Sequence, residues 1–519
     1  MRIYLVAPQN PESFWTFDRI LDMVDAQCMF SNLALPTIAA LTPPHHEVTL
    51  CDENVEPIDF DSDADIIGVT GYIIHRKRMH EIIKEFRRRG KYVVVGGPYV
   101  SLCPDDLEGV ANTVFVDEAE ETWPQFLADF EAGTPQTRYT QVEKSDMAKA
   151  PLPRFDLLKL SAYRTVCIQF ARGCPFQCEF CDIITIFGRR PRAKSIEQVM
   201  REIRELERLG VERIFLVDDN FIGDKRRAKA LLRTIQAFGE ENDFAIDFNT
   251  EVSLDVAQDE EMLALLRDAN FQSIFIGIET PRRESLIETK KRQNVRGDIL
   301  ESVLKVQSYG IRVDAGMIVG FDNDDDAIFQ EQFDFIQAAR IPVSMTGMLN
   351  AVPKTPLHDR LAKDQRLISH STGDQFIRTN IIPLAMTTRQ LYEGYSRLIE
   401  SLYEFDNMKR RAIDYMLTRG RQVKERLYLN QGDLKILWRF VRDCIVLASP
   451  PRRRFTLSVL AQTLAFRPSA IKEAITMLVL HIHFYEYMLD VKRQLAEHLE
   501  DIAERAIPAM SKTAAQSAS

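Results

Sequence analysis

Arg172-Gly-Cys174-Pro-Phe-Gln-Cys178-Glu-Phe-Cys181-Asp182 places three cysteines, spaced C-x3-C-x2-C, directly after a predicted strand at residues 166–170. A buried core has no need for three thiols on one short loop, but thiolates are soft metal ligands that such a loop can direct at one centre. A closed structural zinc site takes four protein ligands, and no further Cys or His lies near enough in the sequence to complete the set. The spacing therefore favours a 4Fe–4S cluster with one open iron over a zinc knuckle or unrelated buried cysteines.

The composition is that of a soluble protein with more than one domain: 519 residues, of which 45% are apolar and 27% charged. The net charge of −10 argues against general nucleic-acid binding, which requires a basic face. The eight cysteines do not form a disulfide framework, and an oxygen-sensitive cluster needs a reducing compartment, so we expect a cytoplasmic protein. The sequence shows no signal peptide and no apolar run long enough to span a membrane.

Short apolar runs alternate with amphipathic helices in two parts of the chain, with five strands expected in residues 1–140 and six in residues 165–350. This alternation is typical of parallel sheets whose two faces are covered by helices. The predicted fold class is therefore α/β. We expect a Rossmann-like domain in residues 1–140, a proline-containing linker in 141–164, a second α/β unit in 165–369 and a mainly helical C-terminal domain in 370–519.

The pattern C-x3-C-x-aromatic-C, with Phe180 as the aromatic residue, resembles the signature of the radical S-adenosylmethionine (SAM) superfamily. The resemblance implies that residues 165–369 form a partial (β/α)6 barrel with its chemistry at the carboxyl ends of the strands. It also implies that Cys174, Cys178 and Cys181 hold the cluster, and that the open iron binds SAM. One electron, from a flavodoxin- or ferredoxin-like donor, would then cleave SAM to a 5′-deoxyadenosyl radical.

Contacts to SAM are expected at the ends of four barrel strands, again by resemblance. They are Phe180 beside the cysteines, Asp218 and Asp219 after strand two, Glu251 at the end of strand three, Glu279 at the end of strand four, and Gly316 and Gly320 in a G-x-I-x-G motif that would bracket the adenine. For Asp219, capping of the following helix is the alternative role. Several polar residues in register at one rim are a stronger indication than any single one.

Residues 1–140 resemble the cobalamin-binding domain that precedes the barrel in many radical SAM enzymes, through the runs DENVEP, VVGGPYVS and VDEAEETW. Doubly wound sheets bind ligands beyond the carboxyl ends of their strands, so the expected cobalamin contacts are Asn54, Thr70, Gly96 and Gly97. The motif D-x-H-x-x-G is missing, so we expect no axial histidine from the loop after the second strand. The alternative is a degenerate Rossmann-like module that only packs against the barrel.

About 500 residues are similar to a bacterial subgroup of cobalamin-dependent radical SAM proteins that includes the hopanoid C-2 methylases. The resemblance implies a methyltransferase that uses methylcobalamin to methylate an unactivated carbon of a small molecule or lipid. A cobalamin-using radical SAM cyclase is the alternative enzyme. A non-catalytic sensor of cobalamin and SAM is the alternative of another class, and the intact three-cysteine loop argues against it.

Contact with a membrane surface stays open at the level of sequence. The basic triplet Arg452-Arg453-Arg454 precedes an apolar amphipathic helix, which is a pattern suited to an anionic bilayer surface. An ordinary solvated turn is the alternative interpretation of the triplet. His481 and His483 lie two residues apart in an apolar segment, where they are expected to be packing residues.

Overall fold

The computed structural model describes residues 1–423 and 431–514. In chain order the strands are β1 (Arg2–Ala7), β2 (Cys28–Phe30), β3 (Glu47–Asp52), β4 (Ile66–Thr70), β5 (Tyr92–Gly96), β6 (Thr113–Val116), β7 (Arg138–Thr140), β8 (Tyr163–Ile168), β9 (Ala171–Arg172), β10 (Arg192–Ala193), β11 (Arg213–Leu216), β12 (Asp247–Val252), β13 (Phe271–Glu279), β14 (Arg312–Val319) and β15 (Val343–Met348). The α-helices are α1 (Ala34–Leu41), α2 (Arg76–Arg88), α3 (Pro98–Leu102), α4 (Thr122–Glu131), α5 (Ile183–Ile186), α6 (Ile196–Arg208), α7 (Lys225–Glu241), α8 (Glu260–Asp268), α9 (Arg283–Glu288), α10 (Ile299–Ser308), α11 (Ile328–Ala338), α12 (Pro356–Lys363), α13 (Thr388–Tyr403), α14 (Phe405–Thr418), α15 (Gln431–Val441), α16 (Pro450–Phe466) and α17 (Ile471–Ala514).

The N-terminal sheet is parallel, in the order β3-β1-β4-β5-β6-β7. Its strands are apolar on both sides because helices cover both faces. On β1, for example, Ile3 and Leu5 belong to one core cluster, whereas Tyr4 and Val6 belong to another. The five strands predicted for residues 1–140 are all present, and β7 adds a short edge strand that the sequence pattern did not indicate.

The second sheet is also parallel, in the order β15-β14-β13-β12-β11-β8-β2. Six of these strands are those predicted for the barrel, and the longest two are β13 and β14. The helices between them begin where their capping residues predict. At the start of α6, for example, the Ser195 hydroxyl accepts a hydrogen bond from the Gln198 amide at 3.2 Å, and the Gln198 side chain accepts one from the Ser195 amide at 2.8 Å.

The seventh strand, β2, comes from the N-terminal region and pairs in parallel with β8, so that Phe30 lies opposite Thr165. The chain before it packs in the core of the barrel, where Phe14 and Phe17 are buried. A three-residue strand is too short to show a period-two pattern, which is why the sequence did not reveal it. Residues 14–30 therefore belong with the barrel, although the predicted domain of residues 1–140 contains them.

The C-terminal region is helical, as predicted, and α17 packs against α13, α16 and the turn at residues 18–20. Helix α17 joins residues 471–486 and 497–505 into one continuous helix. The intervening residues 487–496 contain neither Gly nor Pro, so nothing in them stops a helix. Among the described residues, no helix combines the length and apolarity needed to cross a membrane.

Candidate active site

A cavity of about 1210 Å³ lies between the N-terminal sheet, the barrel and the C-terminal region. All four expected cobalamin contacts line it: Asn54, Thr70, Gly96 and Gly97. Two of the expected SAM contacts, Asp219 and Glu251, also line it, as do Arg172 and Asp182, which flank the cysteine motif. The carboxyl ends of the strands of both sheets therefore face one shared space.

The cysteine loop is folded back on itself by a short antiparallel ribbon, in which β9 pairs with β10 and Arg172 lies opposite Arg192. Gly173 has a φ of +92°, and a Cβ atom at this position would lie 2.9 Å from the Arg190 carbonyl oxygen. A side chain is therefore excluded at the residue before Cys174. All three cysteines of the motif carry free thiols, which makes them available as metal ligands.

Two carboxylates from the end of β11 hold the backbone just before the first cysteine. Asp218 is fully buried and accepts hydrogen bonds from the amides of Phe170 and Ala171, at 2.7 and 2.9 Å. Asp219 accepts a hydrogen bond from the Gly173 amide at 2.6 Å. Asp218 thus stabilises the loop but does not line the cavity, whereas Asp219 binds the loop and also lines the cavity, where SAM is expected.

A buried ion cluster connects the N-terminal domain to the same loop. Glu118 and Glu120, in the segment after β6, pair with Arg172 at 2.9 and 2.6 Å. Glu118 also pairs with Arg192 at 3.0 Å, across the β9–β10 ribbon. Sequence reasoning missed this role, although the run VDEAEETW carried part of the family resemblance. Only the fold shows that its acidic residues face an arginine about fifty positions later.

The sulfurs of two cysteines accept amide donors from elsewhere in the barrel. Gln293 Nε2 lies 3.5 Å from Cys178 Sγ, and Asn220 Nδ2 lies 3.9 Å from Cys174 Sγ. Gln293 is buried, and its side-chain oxygen has no hydrogen-bond partner in the described part of the chain. A buried amide in this state is costly, so the bond to sulfur is the interaction that explains its position. Neither residue was identified from the sequence.

Glu279 ends β13, as expected, but its carboxylate forms an ion pair with buried Lys291 and does not line the cavity. The Lys291 ammonium lies 5.7 Å from the centre of the Phe180 ring, on the cysteine motif. Burial alone would lower the pKa of Lys291, but the adjacent Glu279 carboxylate raises it above its ordinary value. The structure therefore places Glu279, Lys291 and Phe180 together beside the cysteines.

The fold favours glycine at both positions of the expected adenine motif, Gly316 and Gly320. A Cβ atom on Gly316 would lie 2.9 Å from the Phe275 ring. Gly320 has a φ of +103°, and its amide donates a hydrogen bond of 2.9 Å to the buried carboxylate of Asp324. Neither glycine lines the cavity, so their contact with adenine stays a prediction.

The comparisons with known proteins agree with this geometry. Residues 168–336 match the model of the Radical SAM superfamily, and residues 355–497 match a Domain of unknown function (DUF4070). An uncharacterized methyltransferase of Synechocystis sp. is 36% identical over 97% of this chain and 95% of its own length. The chain belongs to the radical SAM superfamily. The hopanoid C-2 methylase of Rhodopseudomonas palustris is 35% identical over 71% of each protein. The predicted enzyme class, a radical SAM methyltransferase, is confirmed.

A solved structure confirms the fold. The radical SAM methyltransferase TsrM from Kitasatospora setae, with cobalamin and a [4Fe-4S] cluster bound, has a TM-score of 0.58 at 17% identity, over 90% of this chain and 88% of its own. The α/β fold with a partial barrel and a mainly helical C-terminal region is therefore as predicted. The cluster and SAM are the cofactors of the superfamily, and three free cysteines beside amide donors fit the cluster.

Two of the barrel acids that line the cavity, Glu251 and Asp219, have pKa values above their ordinary range. Burial raises the pKa of Glu251 from its ordinary value of 4.5 to about 7, with a further contribution from the Asp219 carboxylate. Burial likewise raises the pKa of Asp219 to about 6. A carboxylate whose charge is made unfavourable by burial is stabilised by a cationic ligand, and SAM is a cation through its sulfonium sulfur.

Replacing Glu251 with Gln should change how stability depends on pH. Because the pKa of Glu251 is raised in the folded state, its contribution to stability is complete below about pH 4.5 and is lost as the pH rises through about 7. Without SAM, the melting temperature of Glu251→Gln should therefore exceed that of the wild type by an amount that grows between pH 5 and pH 8. The measurement is thermal unfolding followed by circular dichroism. The control is Glu47→Gln, because Glu47 is exposed. A difference in melting temperature between the wild type and Glu251→Gln that does not vary with pH would contradict the prediction.

Replacing Gln293 with Leu should lower the reduction potential of the cluster. Hydrogen bonds to the cluster's cysteine sulfurs stabilise the reduced form, so losing the Gln293 donor shifts the midpoint potential to more negative values. The measurement is a redox titration followed by electron paramagnetic resonance, on protein with full cluster content. Gln307→Leu removes a buried amide that donates to the Ala339 carbonyl, away from the cysteines, and should leave the potential unchanged. Equal potentials in both variants would exclude the role of Gln293.

Proposed function

We propose that this radical SAM methyltransferase methylates an unactivated carbon of an apolar small molecule or lipid, with hopanoid C-2 as the leading candidate. The observation that supports it is the shared cavity, into which both the expected cobalamin contacts and the expected SAM contacts open. When bound, the cluster and SAM supply a hydrogen-abstracting radical, and cobalamin supplies the methyl group. The protein's task is to orient the substrate between them. A flavodoxin- or ferredoxin-like electron donor and a cytoplasmic location are part of the proposal.

The residues beyond β4 and β5 are suited to cobalamin. Gly97 has a φ of +100°, and a Cβ atom there would lie 2.4 Å from the Thr70 hydroxyl oxygen. Gly97 is therefore packed too closely against Thr70 to carry a side chain, and both Gly96 and Gly97 line the cavity, where their bare backbone suits the close approach of a large ligand. The volume of about 1210 Å³ exceeds the roughly 300–1,000 Å³ typical of small-molecule pockets, which suits a cofactor and a substrate together.

Cobalamin without a histidine ligand is part of the proposal. His75 lines the cavity close to the expected cobalamin contacts, but both of its ring nitrogens are used. Nδ1 accepts a hydrogen bond from the Tyr72 amide at 3.0 Å, and Nε2 lies 2.8 Å from Asn10 Oδ1. Burial lowers the pKa of His75 to about 4, so the ring is neutral and fixed by these two bonds. The Asn54 side chain is likewise fixed by two hydrogen bonds: it donates to the Asp52 carboxylate and accepts from the Asn10 amide, which lies in the segment after β1.

An apolar substrate is supported by the cavity wall on the barrel side. This wall contains aromatic and aliphatic side chains from three regions of the chain: Trp15 and Phe30 from the N-terminal segment, Phe215 from β11, and Phe376, Ile377 and Tyr487 from the C-terminal region. The Trp15 ring packs against the Phe275 ring, with the ring centres 5.0 Å apart. Such a wall holds a saturated ring system by dispersion and excludes water from the reacting carbon.

The proposal is tested with anaerobically reconstituted protein, SAM, a strong reductant, hydroxocobalamin and an unmethylated hopanoid. We expect three products: 5′-deoxyadenosine, S-adenosylhomocysteine and a hopanoid with one additional methyl group. All three are detected by mass spectrometry. Cys178→Ala should form none of the three, because the cluster loses a ligand, whereas Cys103→Ala, outside the motif, should retain activity. Formation of 5′-deoxyadenosine without S-adenosylhomocysteine would indicate a cyclase or another non-methylating radical enzyme.

Replacing Gly97 with Ala should reduce retention of hydroxocobalamin on a desalting column by at least about tenfold, because the methyl group meets the Thr70 hydroxyl. The matched control is Gly133→Ala, since Gly133 also has a positive φ, of +74°, but a Cβ atom there meets nothing within 4 Å. The control carries the same kind of backbone strain without the contact. Equal retention by the two variants would contradict the assignment of Gly97.

A further inference from the structure

The exposed apolar side chains of this protein are concentrated on one part of the C-terminal region. Seven of the 17 large apolar side chains exposed in the described residues lie between residues 434 and 466. They are Leu434 and Trp438 on α15, Val446 and Leu447 in the turn after it, and Leu457, Leu464 and Phe466 on α16. We call this set the α15–α16 surface. Scattered single residues of this kind need no explanation, but a cluster marks an interaction site.

Helix α15 is apolar on two faces. Phe440 is buried in the core and Leu437 packs against it, so one face of the helix is already covered. Leu434 and Trp438 are four residues apart and share another face, where they are 54% and 65% exposed. A helix that is apolar on both sides is expected to be covered on both sides. The second face therefore requires a partner.

Arg453, near the start of α16, links this helix to the turn that follows α15. Its guanidinium donates hydrogen bonds to the carbonyl oxygens of Ile445, Val446 and Ala448, at 2.7, 3.0 and 3.1 Å. These bonds hold the first turn of α16 against the turn that carries Val446 and Leu447, the latter 71% exposed. Leu457 follows Arg453 by four residues and Leu464 follows Leu457 by seven, so these two exposed apolar side chains share one face of α16 with Arg453.

The same segment is strongly basic in a chain whose net charge is −10. Residues 434–467 contain seven basic side chains and one acidic side chain, Asp443. The triplet noted in the sequence contributes unequally: Arg452 pairs with Glu486 at 2.8 Å and Arg453 binds carbonyl oxygens, whereas Arg454 is exposed. Lys435 and Arg439 pair with Asp25, and Arg442 pairs with Asp443, although the side chains of Lys435 and Arg442 stay 52% and 46% exposed.

We infer that the α15–α16 surface docks on an anionic lipid bilayer. Exposed Trp and Leu side chains enter the boundary between headgroups and acyl chains, and Arg454, with the partly exposed Lys435 and Arg442, binds anionic headgroups. A second copy of the chain is a poorer occupant, because a two-fold interface would bring two basic surfaces face to face. The inference rests on the proposed lipid substrate for its purpose, since such a substrate is dissolved in a bilayer.

The test is flotation of the full-length reconstituted protein with vesicles of phosphatidylcholine, alone or mixed with phosphatidylglycerol. We expect flotation with the anionic vesicles, and its loss at about 1 M salt, where the screening length falls to about 3 Å. The double variant Trp438→Ser/Leu447→Ser should lower the bound fraction at least about tenfold. Leu384→Ser is the matched control, because Leu384 is 65% exposed, like Trp438, but lies outside the surface.

A second variant, Arg454→Glu, tests the charge separately and should weaken binding to anionic vesicles. Circular dichroism and formation of 5′-deoxyadenosine check that each variant is folded and loaded. Absence of flotation in the wild type would overturn the inference, as would equal flotation of the double variant and the control. A dimer seen by light scattering that the double variant abolishes would also overturn it. Flotation without methyl transfer would count against the proposed function alone.

Discussion

Three carboxylates, two of them buried, fix the chain immediately before the first cysteine. Asp218 binds the amides of Phe170 and Ala171, Asp219 binds the amide of Gly173, and Glu118 pairs with the Arg172 side chain. Burying a carboxylate is costly unless its oxygens are satisfied, so each of the three is retained by the bonds it makes. Because two of them come from β11 and one from the N-terminal domain, the start of the cysteine loop is fixed relative to both parts of the protein. The position of the cluster follows from this constraint.

The same constraint explains how two independent parallel sheets come to share one cavity. Parallel sheets bind ligands beyond the carboxyl ends of their strands, and a reaction between ligands of two such sheets requires those ends to face each other. Two features hold that arrangement: β2 joins the edge of the barrel at β8, and the Glu118 pairs join the loop after β6 to the β9–β10 ribbon. The N-terminal segment therefore also supplies Trp15 and Phe30 to the cavity wall.

Local patterns in the sequence predicted most of the fold, because apolar runs of four to eight residues between helices have few other interpretations. The cysteine loop could be predicted for the same reason, since its ligands lie within eight residues of one another. Contacts between distant residues could not. Glu279 meets Lys291, and Glu118 meets Arg172, only after the strands have assembled. Asp218 was expected to contact SAM because its position on the rim was clear, but the direction of its side chain was not.

Helix α17 connects the exposed apolar surface with the cavity. Tyr487 on this helix lines the cavity, and its neighbour Glu486 pairs with Arg452 at the start of α16. α16 in turn packs against α17, so the cavity wall and the α15–α16 surface belong to one packed unit. A protein docked through that surface would hold the wall formed by Tyr487 in a fixed relation to the bilayer. An apolar lipid that entered a docked protein from the membrane would avoid the cost of exposing its whole surface to water.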